Sequence, residues 1–290
     1  MRSNACWFRR RRRGPAAAGT TFVALWSLLI SASLAAGQDA PPPTACRVLA
    51  DVLARARESG AVRRVEGLHP FTLVRRFQND DGTPRGTAAF LMTYDVAVVD
   101  TAITVGVRVW DPGHPGPSVE ISYVVSTRDG RLVRLTSDAG NQGTTARIED
   151  GTLVIEKAGE EPVRQPWRDE IVPKVVLAFI GPMLHDQGLP TALDYRDLNP
   201  FGQVPKQEAR LRLLRDDERP GALLAFGSFE GRSKPTTVVE VDEQQRVVSI
   251  VTESSLSPDG KHVTHLAESR RLSPEAFEKL RTSGESLDIR

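Results

Sequence analysis

The stretch ITVGVRVW, residues 103–110, decides the fold class, because apolar side chains recur in it at every second position. The odd-numbered residues from Ile103 to Val109 are all apolar, whereas Trp110 falls with the mostly polar residues of the opposite face. Successive side chains of a β-strand point to opposite faces, so this spacing is typical of a strand with one buried face. The pattern predicts antiparallel sheet with one wetted side.

The same alternation returns along most of the chain. It is clear in VEISYVVS at 119–126, and the second half of the chain holds five further runs: 208–214, 222–230, 236–242, 246–254 and 261–271. Three Asp-Gly pairs, which favour tight hairpin turns, stand between such runs: Asp129-Gly130, Asp150-Gly151 and Asp259-Gly260. About ten strands joined by short polar turns are therefore expected.

Three segments have helical character instead. Cys46–Glu58 repeats apolar residues at helical spacing, and Glu275–Leu280 forms a short helix that Ser273 caps. Ile171–Leu184 is almost wholly apolar, with Asp169 as a candidate cap before it and Gly181-Pro182 as a stop or kink. A helix that is apolar all round must be buried all round. We therefore expect a mainly β fold with a few helices (α+β), a curved antiparallel sheet or half-barrel wrapped on this buried helix.

The first 37 residues have the three parts of a secretory signal. Arginines at 2 and 9–13 precede an apolar run that is densest at Phe22–Ile30, and small residues follow at Ser31–Gly37. An uncleaved anchor is the alternative, since Ala16–Ala36 is just long enough to span a bilayer. We expect cleavage, export to the periplasm or beyond, and membrane contact only through this segment before cleavage.

Cleavage changes the charge of the protein. The whole chain has 38 basic and 37 acidic residues, but six arginines leave with the signal, so that 32 basic residues remain and the net charge is −5. A mildly acidic body has no electrostatic footprint for nucleic acid or anionic lipid. Nucleic-acid binding is therefore not expected.

Cleavage also leaves Cys46 as the single cysteine, because Cys6 belongs to the signal. One thiol cannot form an internal disulfide, so the apolar core must supply the stability. Two interpretations of Cys46 remain open: a small buried residue near a helix start, or one partner of an intermolecular disulfide.

Candidate catalytic and metal-binding patterns do not assemble. His262 and His265 lie three apart in a predicted strand and so point to opposite faces, while His69, His114 and His185 are interpreted as solvated. The stretch Gly227–Gly231 has a serine directly after its first glycine and lies in a β run, unlike a nucleophile elbow. We predict no catalytic residue, metal site or cofactor; a hydrolase with a dispersed site remains an alternative.

A ligand site is predicted where the apolar helix meets the sheet. Trp110 ends a strand and Trp167 precedes the helix, so both are candidates for a pocket mouth. Val176, Phe179 and Ile180 lie on the helix itself. A cavity between sheet and helix would suit a lipid-like or other apolar small molecule.

The order of these elements resembles the periplasmic lipoprotein-carrier (LolA/LolB-like) superfamily. The resemblance rests on the signal, the amphipathic helix, the strands, and the apolar helix with LDYRDLNP at 193–200 after it. With the Asp-Gly hairpin at Arg128–Leu132, that stretch also resembles uncharacterised exported bacterial proteins. The resemblance to the carrier superfamily covers about residues 46–280 and implies a curved sheet wrapped on helices. It assigns no functional residue of that family to a position in this chain. The loop at 111–117 departs from the carrier pattern.

The predicted organisation is a signal peptide at 1–37, a proline-rich tether at 38–45, one β-rich domain at 46–280 and a polar tail at 281–290. The leading functional hypothesis is an exported non-enzymatic protein with an apolar ligand between sheet and helix. The alternative from a different class is a structural or interaction module of the cell envelope.

Overall fold

The computed structural model describes residues 44–79, 81–138, 143–188, 190–200, 202, 209–214, 222–227, 237–256 and 263–283. The predicted signal segment lies outside the described residues, as do 38–43 of the predicted tether and the chain after 283. Within the described chain, no helix is both long enough and apolar enough to cross a bilayer. The described residues belong to one compact unit.

A single antiparallel sheet of fourteen strands dominates the described chain, which confirms a mainly β fold. The first eight strands are β1 Gly67–Asn79, β2 Pro84–Val98, β3 Ala102–Trp110, β4 Val119–Ser126, β5 Leu132–Ser137, β6 Thr144–Glu149, β7 Thr152–Lys157 and β8 Val163–Pro166. The remaining six are β9 Ala192–Tyr195, β10 Ala209–Leu214, β11 Ala222–Gly227, β12 Thr237–Val241, β13 Val247–Leu256 and β14 Val263–Arg271. The expected number of about ten strands was too low.

The strand order is β8-β7-β6-β5-β4-β3-β2-β1-β14-β13-β12-β11-β10-β9, and the sheet is not closed. Each half of the chain is thus a meander, and the pairing of β1 with β14 joins the two halves in the middle of the sheet. The edges are β8 and β9, which are consecutive in sequence and lie at opposite ends of the order.

The predicted alternation in β3 is confirmed. Ile103 and Val105 are fully buried, whereas Arg108 is exposed and lies opposite Glu120 of β4. We call the face that carries Ile103 and Val105 the inner face of the sheet and the other the outer face. Trp110 lies on the outer face, because it is out of phase with the buried odd-numbered residues.

Two of the predicted Asp-Gly turns connect strands. Asp150 and Gly151 have φ values of 47° and 75°, the positive pair that a type I′ hairpin between β6 and β7 requires. Gly130, with φ 70°, serves the turn between β4 and β5. The third pair, Asp259-Gly260, lies outside the described residues.

Four α-helices accompany the sheet in the described chain: α1 Ala45–Glu58, α2 Lys174–Ile180, α3 Met183–Asp186 and α4 Pro274–Ser283, with a short 3-10 helix at Ala61–Arg64. The amphipathic character predicted for α1 is confirmed, since its apolar side is buried. Helix α4 starts as predicted, with the Ser273 hydroxyl accepting a hydrogen bond of 3.1 Å from the Ala276 N–H, but it extends beyond Leu280.

The apolar segment at 171–184 is shorter as a helix than expected. Ile171 forms a parallel bridge to Arg196 instead of a helical turn, and Pro173 occupies the cap position before α2. The chain turns at Gly181, as predicted from Gly181-Pro182, and α3 follows as a separate single turn. Proline lacks an N–H and pushes the residue before it out of the helical region, which explains the later start.

Two hydrophobic clusters lie on opposite faces of the sheet. The main core joins the inner-face side chains with the buried residues of α1, α2 and α3. A second cluster on the outer face consists of Leu91, Trp110 and Phe277, with Leu272 and Leu280 packed against it, and it attaches helix α4 to the sheet.

Candidate ligand-binding site

Helix α2 contributes its predicted ligand residues to the main core. Val176 is fully buried, and Phe179 and Ile180 are each 1% exposed. The ring centre of Phe179 lies 5.0 Å from that of Tyr94 and 5.3 Å from that of His69. The side chains of Tyr94 and His69 both lie on the inner face of the sheet. The structure therefore places all three predicted residues in the main core, and Phe179 contacts a small aromatic cluster there.

His69 is the member of this cluster that sequence reasoning interpreted wrongly. It was expected to be solvated, yet it is only 3% exposed. A signal was available, because His69, Phe71 and Leu73 alternate in phase and all three are buried in β1. The prediction failed because β1 was not recognised as starting as early as Gly67.

The His69 ring has one satisfied and one unsatisfied nitrogen. Its Nε2 lies 2.7 Å from the Val65 carbonyl oxygen, to which it donates. Its Nδ1 is buried and has no hydrogen-bond partner among the described residues. Burial lowers the pKa of His69, so the ring is neutral and Nδ1 presents a lone pair to the core.

Asp197 holds the N-terminus of helix α2. Its Oδ1 accepts a hydrogen bond of 2.7 Å from the Lys174 N–H, while the Lys174 ammonium donates to the Thr237 hydroxyl at 3.3 Å. Burial raises the pKa of Asp197, and the Lys174 charge offsets part of that rise. This carboxylate is part of LDYRDLNP, the stretch singled out after the apolar helix.

The expectation that Asp169 caps helix α2 was wrong. Its carboxylate instead accepts hydrogen bonds from Arg131 Nε at 2.9 Å and from the Trp167 indole N–H at 3.1 Å. Its carbonyl accepts a bond of 2.9 Å from the Cys46 N–H, at the start of α1. The helix starts five residues after Asp169, too far for a local cap, because an N-cap side chain reaches only two or three residues ahead.

The segments that follow the two edge strands meet in a short seam. The Val172 N–H donates to the Arg196 carbonyl at 2.9 Å, and the Arg196 N–H donates to the Glu170 carbonyl at 2.7 Å. We call these two hydrogen bonds the seam. The edge strands β8 and β9 do not pair with each other. Among the described residues, the seam connects the main chains of the two segments that follow these edge strands.

The two predicted tryptophans lie in different places relative to helix α2. Trp167 is partly buried and packs against the rim of the main core, next to the seam. Trp110 lies on the outer face and packs edge-on against Phe277, with ring centres 5.4 Å apart. The sheet separates Trp110 from Phe179, so the five predicted residues do not line one pocket.

A polar cavity of about 550 Å³ also lies on the outer face, across strands β2 to β6. Asp95, Thr104, Ser122 and Thr136 contribute to its lining. Gly106 lies between Asp95 and Ser122 in register and leaves the cavity floor open. These side chains are suited to hydrogen bonding with a ligand.

The candidate metal-ligating side chains were also compared in the part of the chain that the structure describes. No set of three or more His, Cys, Asp or Glu side chains lies together there in an arrangement that would hold a metal ion. Cys46 is buried, and burial raises the pKa of its thiol. His262 and Ser228, two of the residues weighed for chemistry, lie outside the described residues.

The comparisons with known proteins found similar solved structures only. No family model matches the chain, and no curated protein does. A β-barrel-like protein with a domain of unknown function from Brucella abortus is 9% identical, covers 72% of this chain and all of its own, and has a TM-score of 0.36.

Members of the lipoprotein-carrier superfamily are among these structures. A putative outer membrane lipoprotein-sorting protein domain from Vibrio parahaemolyticus is 11% identical and covers 78% of this chain and 96% of its own, with a TM-score of 0.18. A LolA superfamily protein from Nitrosomonas europaea is 10% identical and covers 78% and 91%, also with a TM-score of 0.18. The search therefore returned proteins of the superfamily that the sequence resembles, at identities of 10–11% and a TM-score of 0.18.

Proposed function

We propose that this chain is an exported, non-enzymatic protein whose curved sheet encloses helix α2 and binds a lipid-like or other apolar ligand between the two. The observation that carries the proposal is the chemistry of the α2 surroundings. Val176, Phe179 and Ile180 are buried in the main core, Phe179 packs on the His69 and Tyr94 rings, and one ring nitrogen of His69 has no hydrogen-bond partner among the described residues. Export rests on the signal-like segment at 1–37.

The seam is the point at which such a ligand would be admitted. Neighbouring strands elsewhere in the sheet pair over four to twelve residues, whereas the two segments at the seam share two main-chain hydrogen bonds and the bond from the Lys174 N–H to Asp197. Separating them would require little backbone disruption and would free one side of α2. Because a net hydrogen bond is worth only about 1 kcal/mol, the hydrogen bonds of these segments oppose opening by only about 3 kcal/mol.

His69 restricts the polar part of the ligand. A neutral imidazole with Nε2 donating to Val65 has only an acceptor left at Nδ1. A ligand group that donates a hydrogen bond, such as a hydroxyl or a protonated carboxyl, satisfies it. The ligand expected here is therefore an alkyl or ring compound with a single uncharged donor.

The proposal is tested with N-phenyl-1-naphthylamine, an apolar dye with one N–H donor, by fluorescence titration of the purified chain. Phe179→Leu should weaken binding about fivefold, because it removes the ring contacts at α2. Phe226→Leu is the matched control: Phe226 is also 1% exposed in the same core, but its ring packs on Tyr195. Both variants lose a similar apolar volume.

A structural or interaction module of the envelope is the competing function, and the completeness of the core packing favours it. Val176 and Leu53 of α1 have no exposed surface, as expected of a filled core. No dye binding by the wild type, or equal weakening in both variants, would establish this reading and end the carrier proposal. Native mass spectrometry of protein from its own host gives an independent check, since a bound molecule adds a discrete mass that denaturation removes.

A further inference from the structure

A second cavity of about 390 Å³ lies on the outer face, between strands β2 and β3, the loop after β3 and helix α4. Its apolar walls come from Leu68, Trp110, Pro115, Pro117 and Phe277. We call it the outer-face cavity. Its volume falls in the range of small-molecule sites, about 300–1,000 Å³.

Thr93 gives the outer-face cavity a buried polar group. This residue lies between Pro70 of β1 and Arg108 of β3 in register and is 2% exposed, although it is on the outer face. Its hydroxyl oxygen has no hydrogen-bond partner among the described residues. A buried polar atom without a partner costs free energy, so a ligand that pairs with it gains affinity.

The charges at the rim of the outer-face cavity are balanced. Arg108 pairs with Glu120 at 3.2 Å, and Arg281 pairs with Glu278 at 2.7 Å. Each guanidinium has its own carboxylate, so the rim offers no net charge to a ligand. An ionic ligand would have to break one of these pairs.

We propose that the outer-face cavity binds a small neutral aromatic compound carrying one hydroxyl or carbonyl group. The ring lies against Trp110 and Phe277, which already form an edge-on pair, and the polar group bonds to the Thr93 hydroxyl. This site is independent of the proposed core site, because the sheet lies between Trp110 and Phe179. Helix α4 and the 111–117 loop, which departs from the carrier pattern, thereby acquire a role.

The test compares 2-naphthol with naphthalene, which lacks only the hydroxyl, by calorimetric titration of the purified chain. Wild type should bind 2-naphthol about fivefold more tightly than naphthalene, as one hydrogen bond allows. Thr93→Val keeps the shape and branching of the side chain and should abolish that preference while naphthalene binding stays unchanged. Ser122→Ala, in the neighbouring polar cavity, is the control that should keep the preference.

Three results would overturn the proposal: no binding of 2-naphthol, no preference over naphthalene in the wild type, or the same preference in Thr93→Val. Phe179→Leu separates this site from the proposed core site. If that variant weakens 2-naphthol binding and Thr93→Val does not, the compound occupies the core and the outer-face cavity is not its site.

Discussion

The Asp197 carboxylate accepts a 2.7 Å hydrogen bond from the Lys174 main-chain N–H, and thereby caps helix α2 from a segment on the far side of strand β9. The first N–H groups of a helix lack internal partners, and the helix dipole favours a negative charge there. Pro173, at the cap position itself, has no side-chain acceptor to offer. One tertiary contact therefore replaces the usual local cap.

Removing this cap should destabilise the protein. We expect Asp197→Ala to lower the free energy of unfolding by about 1–2 kcal/mol, the usual cost of losing an N-cap. Asp194→Ala is the control, because Asp194 forms an exposed ion pair with Arg210 on the adjacent strand, and such pairs contribute about 0–1 kcal/mol. Urea denaturation measures both. An equal loss in the two variants would mean that the cap contributes nothing of its own.

The same two carboxyls should respond to pH with opposite signs. Burial raises the pKa of Asp197 above its ordinary 3.8, so its contribution to stability is fully present below that value and is lost as pH rises through the folded pKa. The hydrogen bond from Arg210 lowers the pKa of Asp194, whose contribution is present above 3.8 and is lost as pH falls through the folded pKa.

Asparagine variants isolate these contributions, because they cannot titrate. As the pH is raised from about 3 to about 7, the free energy of unfolding of the wild type minus that of Asp197→Asn should fall. Over the same range, the free energy of unfolding of the wild type minus that of Asp194→Asn should rise. Denaturant titrations across this range measure both differences. A rise in both would show that the folded pKa of Asp197 is not raised.

Cys46 should behave as an inert buried thiol. It is 1% exposed, its Sγ lies 3.7 Å from the Ile171 carbonyl oxygen, and burial raises the pKa of the thiol. Of the two interpretations left open by the sequence, the buried residue agrees with this geometry. We expect its reaction with an aromatic disulfide reagent in the native protein to be at least about a hundredfold slower than that of an exposed thiol.

The control for Cys46 lies on the same helix. In a Cys46→Ser background, Glu58→Cys places a thiol at the exposed end of α1. Comparable rates for the two cysteines, or a disulfide-linked dimer of the wild type under non-reducing conditions, would contradict the buried assignment.

Gly130 should be intolerant of any side chain. Its φ is 70°, and an added Cβ would lie 1.9 Å from the Cys46 carbonyl oxygen, so backbone would have to move. Gly151 has a similar φ of 75° but open space around it. Gly151→Ala should cost about 1 kcal/mol from the backbone conformation alone, and Gly130→Ala about 3 kcal/mol or more. Thermal unfolding of the two variants decides this, and equal losses would rule out the clash.

The sequence pattern predicted what depends on neighbours along the chain. Alternation at Ile103–Val109 placed a strand and its buried face correctly, and the helical spacing after Ala45 did the same for α1. Such patterns repeat over several residues and reflect burial directly. Strand number was underestimated, because short strands such as Val163–Pro166 carry too few positions for a period to appear.

The ligand-site prediction depended on contacts between distant segments, which no local pattern encodes. Phe179 was correctly predicted to lie in the core, because a helix that is apolar on all sides is buried on all sides. Trp110 was grouped with it, yet its phase in β3 already placed it on the outer face. Its partner Phe277 lies on a helix more than 160 residues further along the chain, so only the folded structure pairs them.

The pairing of β1 with β14 gives the chain an unusual relation between sequence and sheet. If the two ends of the chain were joined and a new break were made between β8 and β9, the fourteen strands would follow one another across the sheet without a single jump. Circular permutation would thus turn the fold into a plain up-and-down ribbon in which every strand pairs with its neighbour in sequence. In the natural order, the pairing of β1 with β14 cannot form until β14 has been synthesised. We expect this long-range pairing to be the slow step in folding.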